Sequence, residues 1–218
     1  MVDRQSIGRS AHRKGKTFEN DTAKAFTKWY IEEYPKARGK RLFYRVPASG
    51  ALDWEASMNV DGDVTADPKI NFNYLIECKC YEGWTIENLL SGNFKFPEWI
   101  SQSVREGMNI NKVPFLVYKR SRSKVFVTAP YNKKIVDKID TVVIKTLEYT
   151  SQVTKQKEKV KTVTFLLTDF FKIPYSEANK LYDSVDWTKQ ITRFKTKQVK
   201  PKNPNTVADN ILENLEKI

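Results

Sequence analysis

Residues 74–81, Tyr-Leu-Ile-Glu-Cys-Lys-Cys-Tyr, constrain the fold of this chain more than any other stretch. They read as a buried strand, and strand side chains alternate between two faces with period two. Leu75, Glu77 and Lys79 then share one face, while Ile76, Cys78 and Cys80 share the other. One face suits a core. The other carries a carboxylate and an ammonium two residues apart, where charges are costly unless paired or bound to a metal. Glu-x-Lys in such a strand serves either chemistry or a paired structural couple.

The surrounding pattern builds a sheet around that strand. From Thr17 to about Glu33, Phe18, Ala25, Phe26, Trp29 and Tyr30 fit one face of a helix, preceded by a polar, basic arm over residues 1–14. Strands are expected over Arg41–Val46, Val60–Ala66 and Ile70–Cys80. A loop with a short helical piece follows over Glu82–Asn93, then a second amphipathic helix over Phe96–Met108. Two more strands, Pro114–Lys119 and Lys124–Ala129, flank a basic turn. This order gives an α/β fold with a mixed central β-sheet flanked by helices. The core segment is taken as residues 15–130. A C-terminal extension, residues 131–188, holds a hairpin of Thr141–Tyr149 with Lys159–Leu167 and a short helix at Tyr175–Tyr182. Residues 189–218 form a basic linker and a terminal amphipathic helix from Thr206 to Ile218.

Upstream of the Glu-x-Lys strand lie Arg45-Val-Pro-Ala-Ser-Gly50 and Asp61-Gly-Asp-Val-Thr-Ala66. Asp63 followed by Glu77-x-Lys79 resembles the signature of the PD-(D/E)XK nuclease superfamily, whose core is restriction-endonuclease-like. Gly15-Lys-Thr-Phe-Glu19, Pro-Ala-Ser-Gly, Gly-Asp-Val and Glu-Cys-Lys, in that order, are most similar to archaeal-type Holliday-junction resolvases and their viral relatives. The resemblance covers residues 13–130. It departs from the compact resolvases at inserts over Ala51–Asn59 and Glu82–Asn93.

Phosphodiester hydrolysis needs a water nucleophile and compensation for charge building on phosphorus. Hard cations held by oxygen ligands supply most of this. Asp63 and Glu77, with the backbone carbonyl of Cys78, are the expected ligands for Mg²⁺, for which Mn²⁺ should substitute. Lys79 is expected beside the water or phosphate. The resemblance adds Glu19 as a further metal or water ligand, Ser49 near the scissile phosphate, and Gln102 as the residue that orients the site. Asp61 and Asp67 compete with Asp63, and the Gly-Asp-Val match favours Asp63. His12 is a phosphate contact or nothing.

Lys and Arg number 38 against 26 acids, a net charge of +12 that argues for a polyanionic partner. Arg9, Arg13, Lys14, Lys16, Arg45, Ser49, Arg120 and Arg122 are the expected DNA contacts, with branched or duplex DNA as substrate. Nothing matches a zinc finger or an RNA-binding aromatic motif. Cys-x-Cys with a single histidine makes no zinc site. No apolar run approaches a membrane span and no signal peptide is seen. A soluble protein is expected, cytoplasmic or nucleoid-associated, in the host cytoplasm if viral. The resemblance implies a homodimer and a structure-selective, junction-resolving endonuclease. A restriction-like or repair endonuclease and an inactive DNA-binding protein of the same fold are the rival readings.

Overall fold

The structure is a computed structural model, and it describes residues 4–47 and 61–194. Ser49, the insert at Ala51–Asn59, most of the 189–202 basic run and the C-terminal helix expected at Thr206–Ile218 lie outside the described residues.

The sheet has eight strands. They are β1 (Phe43–Arg45), β2 (Val64–Ala66), β3 (Tyr74–Cys80), β4 (Val113–Lys119), β5 (Phe126–Pro130), β6 (Val143–Thr150), β7 (Lys157–Leu166) and β8 (Ile191–Arg193). Their spatial order is β1-β2-β3-β4-β5-β7-β6, with β8 also paired to β7. Among the described strands only β3 and β4 run parallel. A parallel pair needs a crossover, and helices α2 (Ile86–Ser91) and α3 (Phe96–Asn109) supply it. Helix α1 (Arg4–Glu33) covers the opposite face. The mixed α/β architecture expected from sequence is therefore present, and so is the β6–β7 hairpin.

Both faces of the sheet are closed by aromatic residues. On the α1 side Phe26, Phe43, Phe72, Tyr74, Phe115 and Phe170 are buried. On the α3 side Trp84, Phe96, Trp99 and Tyr118 pack edge to face or tilted. The buried strand expected at β3 is therefore closed on its charged face as well as on its apolar one. Burial through Tyr74–Cys78 includes Glu77, because α3 roofs that face.

Helix α1 starts at Arg4, so residues 4–14 of the expected arm over residues 1–14 are helical. Its C-terminal half is tied to the segment after β7, which contains the short helices α5 (Leu167–Phe170) and α6 (Tyr175–Ala178). Trp29 stacks at 5.4 Å and 5.2 Å from Phe170 and Phe171, and its indole N–H donates to the Ile173 carbonyl at 2.9 Å. Residues beyond Pro130 thus continue the same sheet and the same core, since β5 pairs with β7. Trp29→Phe removes the buried donor and leaves the Ile173 carbonyl unpaired. A loss of about 1–3 kcal/mol in urea unfolding is the expected outcome.

Candidate active site

The site is set where β2 gives out beside β3. Val64 pairs with Ile76, and the Asp63 N–H donates to the Ile76 carbonyl at 2.8 Å. Gly62, just before it, has φ +88°, and an added Cβ would meet the Ile76 carbonyl oxygen at 2.9 Å. That left-handed turn breaks the regular alternation that would have put Asp61 and Asp63 on one face. Beyond this point the backbone of β2 no longer reaches β3. The Asp63 carboxylate takes its place and accepts the Cys78 N–H at 2.8 Å. A strand residue's N–H and C=O point to the same edge, so the Cys78 carbonyl also faces Asp63.

Gly62→Ala forces a β-carbon into a left-handed backbone and against a carbonyl. The expected result is about 1–3 kcal/mol of destabilisation, together with a displaced Asp63 and a drop in cleavage, read by melting and by nicking assays on the same sample.

Glu77 points to the α3 side and is 2% exposed. The Lys79 ammonium donates to its Oε1 at 2.5 Å and to the Gln102 Oε1 at 2.9 Å. Burial, and next the negative charge of Asp63, push the Glu77 carboxyl well above the ordinary glutamate range, against the opposing pull of Lys79. Asp63 and Glu77 are therefore close enough to repel one another in a place where water cannot screen them. Lys79 is raised above the usual lysine value: burial lowers it, but Glu77, Asp63 and Glu106 together outweigh that. It stands as an ammonium.

Glu106 is the residue that sequence reasoning missed. It is buried on α3 one turn from Gln102, and it accepts from the Gln102 Nε2 at 3.1 Å and from Arg105 at 2.7 Å. Donation to Glu106 aims the Gln102 amide so that its oxygen meets Lys79. The signal was present as a Gln and a Glu at i and i+4 on one helix face. Glu106→Leu frees that amide to turn over, and a loss of about tenfold in cleavage rate with unchanged DNA affinity is expected.

The remaining expected residues fall nearby in two groups. Glu19, on α1, forms an ion pair with Arg45 of β1, on the opposite side of the sheet from Glu77; both are largely buried. Arg45 is thus engaged by protein. At the C-terminal ends of β3 and β4, Lys14 pairs with Glu82 at 3.1 Å, and Glu82 also accepts from the backbone N–H and hydroxyl of Ser121. These bonds, those from Ser121 first, pull the Glu82 carboxyl down to about 2. They tie α1 to the Arg120–Lys124 turn. Lys119 lies 5.4 Å from the Phe18 ring and Arg120 6.0 Å from the Trp84 ring. Arg13, Lys14, Lys16, Arg120 and Arg122 thus belong to two elements joined at that end of the sheet, while the side chain of Arg9 lies outside the described residues. His12 is exposed on α1 and Asp67 lies in the turn after β2, where its carboxylate accepts the Lys69 N–H.

The model of one protein family, described as "Phage putative PDDEXK endonuclease", matches residues 10–180. The chain belongs to this phage PDDEXK endonuclease family. No curated protein and no solved structure matches it. The match takes in the whole arrangement from Glu19 to Glu106 and continues through the β6–β7 hairpin. Family membership suggests a nuclease and implies a DNA substrate, and PD-(D/E)XK nucleases usually use divalent metals. No helix among the described residues is long and apolar enough to cross a membrane.

The donor set around Asp63 fits such an ion. Among the described residues no three His, Cys, Asp or Glu side chains are grouped to hold a metal. The oxygens on offer are two carboxylates and a carbonyl, the hard donors that a hard divalent cation takes. The mutual repulsion of Asp63 and Glu77 is the electrostatic complement of a bound cation.

Proposed function

We propose that this chain is a Mg²⁺-dependent, structure-selective DNA endonuclease that resolves four-way junctions by paired nicks, with Mn²⁺ able to substitute. The observation that carries the reading is the Lys79 ammonium held between Glu77 and Gln102, beside the carboxylate of Asp63 that caps Cys78. Asp63, Glu77 and the Cys78 carbonyl would hold the ion, which would supply positive charge against the scissile phosphate. Lys79 donates a hydrogen bond to a phosphate oxygen or to the attacking water and holds it in line. Gln102 fixes where that ammonium stands. By the resemblance Glu19, paired with Arg45, would be a further metal or water ligand, and Ser49 would contact the phosphate.

The basic residues at the ends of β3 and β4 neutralise phosphates, which gives affinity with little sequence information. Recognition then rests on the shape of the DNA. Similarity to junction resolvases favours a branched substrate and a two-fold dimer that presents two sites to two strands. Labelled four-way junction, linear duplex and flap DNA, each with and without Mg²⁺, test the reading. Symmetric nicks confined to the junction and requiring the metal are expected. Equal cutting of linear duplex would replace it with a duplex endonuclease, and binding without cutting would leave a DNA-binding protein.

A further inference from the structure

The hairpin β6–β7 and strand β8 carry a second charged surface, on the sheet face away from α3. Along β7, Glu158, Val160 and Thr162 are buried, the last two against α3, while Lys157, Lys159 and Lys161 point the other way, Lys157 and Lys161 exposed and Lys159 half-buried. Their cross-strand partners on β6 are Thr150, Glu148 and Thr146, all exposed, so Glu148 is the acid that β6 contributes to this face. Strand β8 adds Thr192 opposite Lys159. Two aromatic rings border the row. The Lys161 ammonium lies 3.7 Å from the Tyr131 ring centre, and the Lys159 ammonium 5.3 Å from that of Phe194.

Alternate residues of a strand stand about 6.6–6.8 Å apart, close to the repeat of phosphates along one extended nucleotide chain. An open sheet face with a row of cations, bordered by the half-buried ring of Tyr131 and the exposed ring of Phe194, provides both parts of a single-strand site: charge for the backbone, and flat surfaces on which unpaired bases stack. A duplex keeps its base faces covered and cannot use the rings. In the sheet β7 is three places from β3, about 14 Å at ordinary strand spacing, and the lysines project from the face opposite Glu77.

We propose that this face of the β6–β7–β8 ribbon binds single-stranded DNA, independently of the site at Lys79. A strand displaced or left unpaired near the cut has a place to lie there. The inference concerns binding alone, so it does not depend on the chemistry assigned to Asp63, Glu77 and Lys79.

The test uses the full chain in EDTA, fluorescent oligothymidylate and a matched duplex, with anisotropy read across a salt titration. Replacing Lys157, Lys159 and Lys161 together by Ala should weaken oligothymidylate binding about tenfold or more. It should also flatten the log affinity versus log salt slope by about 2, the value for losing such contacts on a single strand. Lys→Gln at the same positions keeps the aliphatic stems, should Ala disturb the ribbon. Tyr131→Leu with Phe194→Leu should weaken binding about tenfold and leave the slope unchanged. Removing the same charge at Lys138, Lys172 and Lys180, two of them ion-paired elsewhere on the surface, should change affinity less than about twofold. The proposal is overturned if the triple variant binds like the parent, if the control loses as much, or if duplex binding falls in equal measure. Glu77→Gln leaves this binding intact whether or not it stops cleavage, so the two readings fail separately.

Discussion

Glu77→Gln is expected to lower metal-dependent cleavage by about 10³-fold or more while making the metal-free protein more stable at neutral pH. The two effects have one cause. Glu77 is buried against Asp63 with Lys79 as its counter-charge, and its carboxyl is raised well above the ordinary range chiefly by burial. In the unfolded chain the same group ionises normally. Between the ordinary glutamate range and the raised folded value, the folded state holds a proton that the unfolded state has released. Stability of the metal-free protein therefore falls as pH rises through that window, and is greatest below it. Gln cannot ionise, so the variant should lose this slope. On the proposed function a divalent cation would bind the ionised pair, and so should stabilise the parent more at pH 8 than at pH 5. The variant should show no such difference. Thermal melts at several pH values, with EDTA and with Mg²⁺, read the linkage directly. Equal metal stabilisation of parent and variant would remove Glu77 from the ligand set. In cleavage assays the same ionisation appears as an acid limb displaced upward from an ordinary glutamate titration.

Lys79→Met should abolish cleavage to a similar extent, but with the opposite effect on stability. Removing the ammonium leaves Glu77 and Asp63 facing one another with no cation between Glu77 and Gln102. Breaking a buried pair from one side costs about 3–5 kcal/mol, discounted here because the Lys79 side chain is 23% exposed. The double change Lys79→Met with Glu77→Gln removes both charges and should recover most of that stability without recovering any activity. Urea unfolding of the four proteins in this cycle separates the worth of the pair from the cost of leaving one partner alone. If the double variant is no more stable than Lys79→Met, the pair is not what sets the stability of this strand. DNA affinity measured without metal should stay close to that of the parent in every case.

Much of this arrangement was legible in the residues. Period-two alternation placed Glu77 and Lys79 on one face, and the structure joins them at 2.5 Å. The hairpin over residues 143–166 and helix α3 stood out because their apolar positions keep a clean period. The start of α1 did not. Residues before Phe18 have no apolar stripe, and their helix is held from outside by contacts such as Lys14 with Glu82. What closes the charged face of β3 was hidden too, because that roof is a helix that comes later in the chain. Glu106 escaped for the same reason. Gln102 and Glu106 at i and i+4 mark one helix face, but nothing local shows that this face meets Lys79.

Asp63 occupies the place where a strand would have supplied one more backbone acceptor, and its side-chain oxygen fills that gap by accepting from Cys78. Position 63 is thereby subject to two independent filters during sequence drift. Asn retains an oxygen of similar reach, so it would spare the architecture while discarding the acid. Ala would remove both at once, and a bare Asp63→Ala result would mix a broken scaffold with lost chemistry. Viable relatives stripped of activity would accordingly be expected to carry Asn there more readily than any apolar residue.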